Sequence, residues 1–405
     1  VHDGIDGDDV AVVMYQRPDD TCDTVLQYKA WYKPPVPRVL PFKGVHYSES
    51  FDLNDVTAPP YDVISPEERN RLASLHPNNF VHLTLPDDGA DRYVRAGETL
   101  RGWFEEGVLA ENTSESLYLY EAQHRQGTIA GIICLIELER FDEGSVHPHE
   151  KTMPGPKADR LEIMRHTRAN LEPLWFIATK DIPAIKTALD EVEGRPPIAE
   201  AADKEGVRHR VRNLDTSLAE DLSSTELVVA DGHHRYETAI TYRDEQGGKG
   251  PWNYTLALVS SPTVNAPVLR PTHRVVDELS AEALAGLVSL EPFQGTISEL
   301  AERAETGTIG FARGEHRWTF PAGKGLDTEY LAELLGRLEL KPEYEHDVGV
   351  VEHRVEGGSA AFLLAPVPIS TVIDYARAGR TMPPKTTLFW PKPRSGLVFR
   401  LLTQA

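Results

Sequence analysis

Apolar positions along this chain recur with two different periods, and the period assigns the elements. Between Asp91 and Gly107, Val94, Leu100, Trp103 and Phe104 return on one side at helical spacing, which predicts an amphipathic helix. Ser65-Pro66-Glu67-Glu68 predicts another helix start, with serine as the cap and proline at the first helical position. Residues 117–123 and 128–138 are strand-length apolar runs joined by Arg125-Gln126-Gly127, the pattern of a β-hairpin. Helices and strands then alternate: helix 157–169, strand 174–179, helix 182–193, strands 207–214 and 226–230, helix 233–246, strand 254–260. The last third predicts helices at 281–290, 328–338 and 370–378, with strands at 360–364 and 397–401.

Hairpins beside crossover units argue for an α+β class with a mixed sheet rather than a purely doubly wound one. Three segments are expected. Residues 1–36 hold an acidic run, a turn-rich stretch and a proline cluster behind an initial valine, and read as an extension from a start placed too early or an added arm. Residues 37–278 form the core, and residues 279–405 a C-terminal α/β region packed on it. The longest apolar runs, such as 129–136, fall short of the roughly 18 residues of a membrane helix, and Val1 to Asp9 is acidic, unlike a signal peptide. Two cysteines, Cys22 and Cys134, make neither a disulfide framework nor a cysteine-based zinc site. A cytoplasmic protein without membrane partners is expected.

Charge narrows the partners. The 405 residues carry 63 Asp plus Glu against 42 Lys plus Arg, a formal net charge of −21. A field of that sign repels nucleic acid, so none is expected as a partner, and few lysines among many acids is also what salt adaptation of a surface produces. Oligomeric state is not legible.

Four stretches carry candidate chemistry. In 227–239 an apolar strand runs into Asp231-Gly232 and a helix follows at once. Gly232 permits the turn, Asp231 is placed to cap the helix, and His233, His234 and Arg235 fall in the first turn, where N–H groups and the helix dipole favour an anion. Capped helix and phosphate cradle are both open on spacing alone; adjacent histidines are poor joint metal ligands, since they point about 100° apart. The second stretch, His147 to Thr152 followed by Gly155 to Arg160, offers His149, Glu150, Lys157 and Arg160, the last two one helical turn apart. The third, Pro59-Pro60-Tyr61-Asp62, stiffens the backbone and presents Asp62 as a candidate base or magnesium ligand, with Tyr61 beside it. The fourth comprises His273 and Arg274 after Pro271-Thr272, together with lysines such as Lys385 in the proline-rich loops 382–393. Ligand spacings for zinc or haem, a Walker-type phosphate loop and a dinucleotide glycine fingerprint are all missing.

Taken in order, these motifs resemble the domain-of-unknown-function family numbered 1015, over about 41–401. Asp231-Gly232-His233-His234-Arg235 is also similar to the signature of the ParB/sulfiredoxin superfamily, which includes chromosome-partitioning proteins, sulfiredoxin and free-serine kinases. Thr386-Thr387 departs from the expected Lys-Ser-Thr run but keeps a hydroxyl. The resemblance implies a ParB/sulfiredoxin-like core that binds a nucleotide, with Mg2+ where catalysis needs it. It favours the cradle reading of Asp231 to Arg235, with Lys157 and Arg160 neutralising phosphate charge and Asp62, Glu150, His233 or His234 in catalysis. Tyr61, His149, His273, Arg274 and Lys385 are the candidate substrate contacts. The expected activity is phosphoryl transfer or phosphate-ester chemistry on a small phosphorylated or hydroxylated metabolite, serine first. A ParB-like nucleotide switch without catalysis is the alternative.

Overall fold

The computed structural model describes residues 36–402, apart from 143, 151–153 and 224. Residues 1–35, and with them nearly all of the expected N-terminal extension, lie outside the described residues, as do Lys151 and Thr152.

A mixed nine-stranded sheet forms the larger body. Its order is Val146–His147, Leu227–Asp231, Leu174–Ala178, Tyr254–Ser260, Gly127–Glu137, Leu117–His124, Arg208–Leu214 and Ala199–Ala202, with Val39–Leu40 also pairing to Gly127–Glu137. Most neighbours run antiparallel; Leu227–Asp231 with Val146–His147, and Tyr254–Ser260 with Leu174–Ala178, are parallel. The strand Tyr254–Ser260 shows why the sheet is covered on both faces. Leu256 and Leu258 pack into one apolar cluster, Ala257 and Val259 into another, and alternation sends successive side chains to opposite faces. Leu72 and Leu100, from the helices Pro66–Leu75 and Arg92–Glu105, belong to the first cluster; Ile185 and Tyr236, from Pro183–Glu191 and His233–Gln246, belong to the second.

The second body is an antiparallel six-stranded sheet: Glu291–Pro292, His316–Pro321, Thr308–Arg313, Ala360–Leu363, His273–Val276, Glu343–Glu345. It too is packed on both sides, with Leu331 and Leu334 of the helix Asp327–Arg337 in one cluster and Val351 and Val355 of Val348–Glu356 in the other. The chain then returns. Val372 and Ala376 of the helix Ile369–Arg377 join the first cluster, Leu388–Trp390 pairs with Val268–Arg270, and Arg400–Leu401 pairs with Ala169–Asn170. That return brings residues 382–395 against the larger sheet.

Local signals held where they were strong. Ser65 accepts from the Glu68 N–H at 3.2 Å, and the hairpin pairs Leu117–His124 with Gly127–Glu137. The helix expected at 281–290 stops at Ala285 because Gly286 ends it, and the terminal strand shortens to Arg400–Leu401. The hairpin Thr308–Pro321 was not anticipated; Gly314, at φ 54°, makes its turn. Among the described residues, no helix is long and apolar enough to cross a membrane.

Candidate active-site cleft

A cleft of about 920 Å³ opens between the larger sheet and the returning C-terminal segment, lined by residues from 54–75, 150, 202–209, 230–235, 270–272, 344–346 and 385–394. At its floor the strand Leu227–Asp231 is bulged: Val229 pairs with Phe176 and Asp231 with Trp175, so Ala230 is the extra residue. A bulge re-aims the side chains that follow it, and Ala230 and Asp231 both reach the cleft. Gly232 then turns the chain at φ 97°, where a Cβ would lie 2.7 Å from Leu174 Cδ2. The helix His233–Gln246 starts there with no side-chain cap.

Asp231 does not cap that helix, contrary to the sequence expectation. Its Oδ2 accepts from Arg235 Nη2 at 2.8 Å, and its Oδ1 accepts from Lys392 Nζ, 161 residues away. Burial pushes the Asp231 carboxyl up, but Lys392 and Arg235 outweigh it and hold it well below the ordinary range. Arg235 is therefore no exposed cradle residue. Its Nη1 lies 3.6 Å from Glu172 and donates to the Pro173 carbonyl at 3.1 Å. Buried Glu172 in turn ties three segments together, pairing with Arg235 at 3.6 Å and accepting from the Tyr61 N–H at 3.0 Å and from the Ser395 hydroxyl at 2.8 Å.

The histidines form a second buried group. His149 Nδ1 lies 2.7 Å from the Val229 carbonyl, which only accepts, so Nδ1 carries the proton and Nε2 accepts from Thr387 Oγ1 at 2.8 Å. The His149 N–H donates to His233 Nε2 at 3.3 Å, and the two rings meet edge to face at 4.7 Å. Burial takes His149 down to about 4 and His233 well below its usual value, so both are neutral at pH 7. His234, half-buried on the cleft wall, is lowered for the same reason. Glu150 is raised by burial, against the pull of Lys385. Asp62 is exposed on the wall, and among the described residues neither Asp62 nor Glu150 is in an ion pair.

A family model for "Protein of unknown function (DUF1015)" matches residues 39–350. The chain belongs to that family. No curated protein matches this DUF1015 member. Solved structures similar to it include a free serine kinase in complex with AMP (14% identity, 67% of this chain and 91% of that one, TM-score 0.39). They also include a conserved hypothetical protein from Pyrococcus furiosus (16%, 67% and 95%, 0.36) and C-terminally truncated SbnI from Staphylococcus aureus (13%, 65% and 85%, 0.38).

The DUF1015 cleft gathers Tyr61, Asp62, Glu150, Asp231, Gly232, His233, His234, Arg235 and Lys385 from the sequence-predicted set, with His149 directly behind His233. It does not gather Lys157 and Arg160. Lys157 pairs with Glu237, while Arg160 pairs with Asp159, donates to the Thr84 carbonyl at 2.7 Å and stacks 4.0 Å over the Tyr61 ring. Arg160 thus holds Tyr61, whose hydroxyl burial pushes up to about 12. His273 is buried in the second sheet, accepting from the Leu364 N–H at 3.2 Å. Arg274, also buried, donates to the Lys385 carbonyl at 3.1 Å and so fixes the loop that carries Lys385.

Sequence reasoning missed Glu172, Lys204, Asp203, His209 and Arg394. Glu172 is a lone acid before Pro173 with no motif around it, whereas Lys392 and Arg394 sit in a proline-rich run that reads as an exposed turn.

Proposed function

We propose that the cleft is the active site of a nucleotide-dependent phosphotransferase whose acceptor is a small hydroxylated metabolite, a hydroxy amino acid such as serine first. The nine-stranded sheet with its helices is, on this reading, a ParB/sulfiredoxin-like core carried by residues 37–278, with residues 279–405 adding the wall and the returning segment. One observation carries the proposal. An uncapped helix start, set by a bulge and a left-handed glycine, lies on the floor of a cleft lined by seven Lys and Arg against six Asp and Glu, in a chain of net charge −21. Backbone N–H groups at a helix start and a locally basic lining together favour phosphate.

The residues divide the work as follows. The turn 232–235 and Lys385 hold the phosphates. Arg235 stays on Asp231 and Glu172, so its part is to fix the turn rather than to grip the ligand. The acceptor hydroxyl attacks the terminal phosphorus, its proton passes to Glu150 or Asp62, and the P–O bond to the nucleotide breaks as the new ester bond forms. Glu150, raised by burial, is the better base of the two. Neutral His149 and His233 keep the floor rigid without adding charge. Among the described residues no group of three or more His, Cys, Asp or Glu gathers to hold a metal. Magnesium held mostly by phosphate oxygens and water needs only one or two protein carboxylates; Asp62 and Glu150, which line the cleft, would hold it, and it would offset phosphate charge.

The test is phosphorus NMR of the protein with ATP or ADP, Mg2+ and L-serine. A new phosphomonoester resonance, lost in Glu150→Gln or Asp62→Asn, is the expected result. Nucleotide binding without turnover for any hydroxylated acceptor would replace the enzyme with a nucleotide-binding switch.

A further inference from the structure

Three arginines are at least nine-tenths buried and have no ion-pair partner among the described residues: Arg274, Arg394 and Arg400. A buried guanidinium without a counter-anion is costly, so each needs an explanation. Arg400 spends Nη1 and Nη2 on the carbonyls of Tyr254 and Pro251, 3.0 Å each, away from the cleft. Arg274 spends both on the carbonyls of Thr272 and Lys385 and covers the Tyr344 ring at 4.6 Å. Arg394 differs. Its Nε and Nη2 both donate to Thr57, Nη1 has no hydrogen-bond partner among the described residues, and the side chain lines the cleft.

The acids near Arg394 are already engaged. Glu68 is held bidentately by Arg71 at 2.8 and 2.9 Å. Asp203 accepts from the N–H groups of Glu205 and Val207 at 2.9 Å each, and its other oxygen lies 3.2 Å from His209 Nε2. Lys204 adds a further positive charge to the same wall. Arg71, Lys204 and Arg394 stand against Glu68 and Asp203 here, and Glu205 on the same wall pairs with Arg270, which leaves an excess of one positive charge.

We infer that Arg394, with Lys204, is an anion subsite that takes the carboxylate of the acceptor. This rests on the phosphotransferase reading of the cleft and narrows it to hydroxy-carboxylic acids. Placement supports the assignment. Lys392, two residues before Arg394, touches Asp231 at the phosphate turn, and Arg394 lines the same cleft as that turn.

Calorimetric titration tests this without depending on one variant. L-serine, glycolate and L-lactate are titrated into the wild-type protein beside L-serinamide, glycolamide and L-lactamide, with ADP as a separate arm. At least one acid is expected to bind, and its amide to bind roughly tenfold more weakly or worse, the range of a charged hydrogen bond. Arg394→Gln lowers the acid's affinity by a similar factor and leaves ADP within about twofold; Arg394→Lys recovers part of the loss. If Arg394→Gln does not fold, the acid–amide comparison on the wild type still decides. The inference is overturned if no acid binds, if acid and amide bind alike, or if Arg394→Gln binds the acid as the wild type does. An acid that binds selectively while ADP does not would keep the subsite and sink the phosphotransferase reading.

Discussion

The cleft floor and the edge of the second sheet each carry a cluster of ion pairs, and the two have opposite consequences. At the floor, Asp231 lies between Arg235 and Lys392, with its side chain 11% exposed. On the second sheet, Arg354 joins Asp277 and Glu343, whose side chains are 74% and 65% exposed. Exposed pairs are screened by water and salt and contribute little, whereas a buried charge stripped of its partner has nowhere to turn. The floor cluster therefore constrains both fold and site, and the edge cluster constrains neither.

Asp231→Asn is the sharpest way to break the comparison. It leaves Arg235 and Lys392 buried without their shared anion, and should cost about 3–5 kcal/mol in urea unfolding; a cost under about 1 kcal/mol would erase the distinction between the clusters. Acid titration comes next. His149 has a folded pKa near 4 against about 6.5 unfolded, so below pH 6.5 the unfolded chain takes up a proton that the native one lacks. Stability is thus full above pH 6.5 and is lost as pH falls toward 4, by up to about 1.4 kcal/mol per pH unit for this histidine. His233, lowered in the same direction, adds to the slope. Urea midpoints at pH 7, 5.5 and 4.5 measure it, and a flat profile would contradict the neutral, buried histidine pair. Gly232→Ala forces a left-handed backbone and a contact with Leu174, and should cost roughly 1–3 kcal/mol. Arg354→Ala, at the other end of the scale, should change stability by less than about 1 kcal/mol at physiological salt; a larger loss would make the edge cluster structural.

How far the sequence could be read follows from where each determinant lies. The strand–turn–helix at 227–246 was legible because an apolar run, Asp-Gly and helical spacing are all local. The bulge at Ala230 was not, since register is set by pairing with Leu174–Ala178. The role expected of Asp231 failed for a related reason: a lysine 161 residues away and an arginine four residues on claim the carboxylate that would otherwise cap the helix. Lys157 and Arg160 have the right spacing to share a ligand, but Glu237 and Asp159 meet them first. Convergence of 61–62, 149–150, 231–235 and 385–394 depends on the C-terminal return, a long-range contact that no motif announces.

The central claim is that the turn 232–235 on the cleft floor receives the phosphates of a nucleotide. A crystal structure of the wild-type protein with ADP tests it most directly. The account predicts phosphate oxygens within about 3.2 Å of backbone N–H groups in that turn, with Asp231 still held by Arg235 and Lys392. Nucleotide bound outside the cleft, or phosphates seated away from the turn, would contradict it.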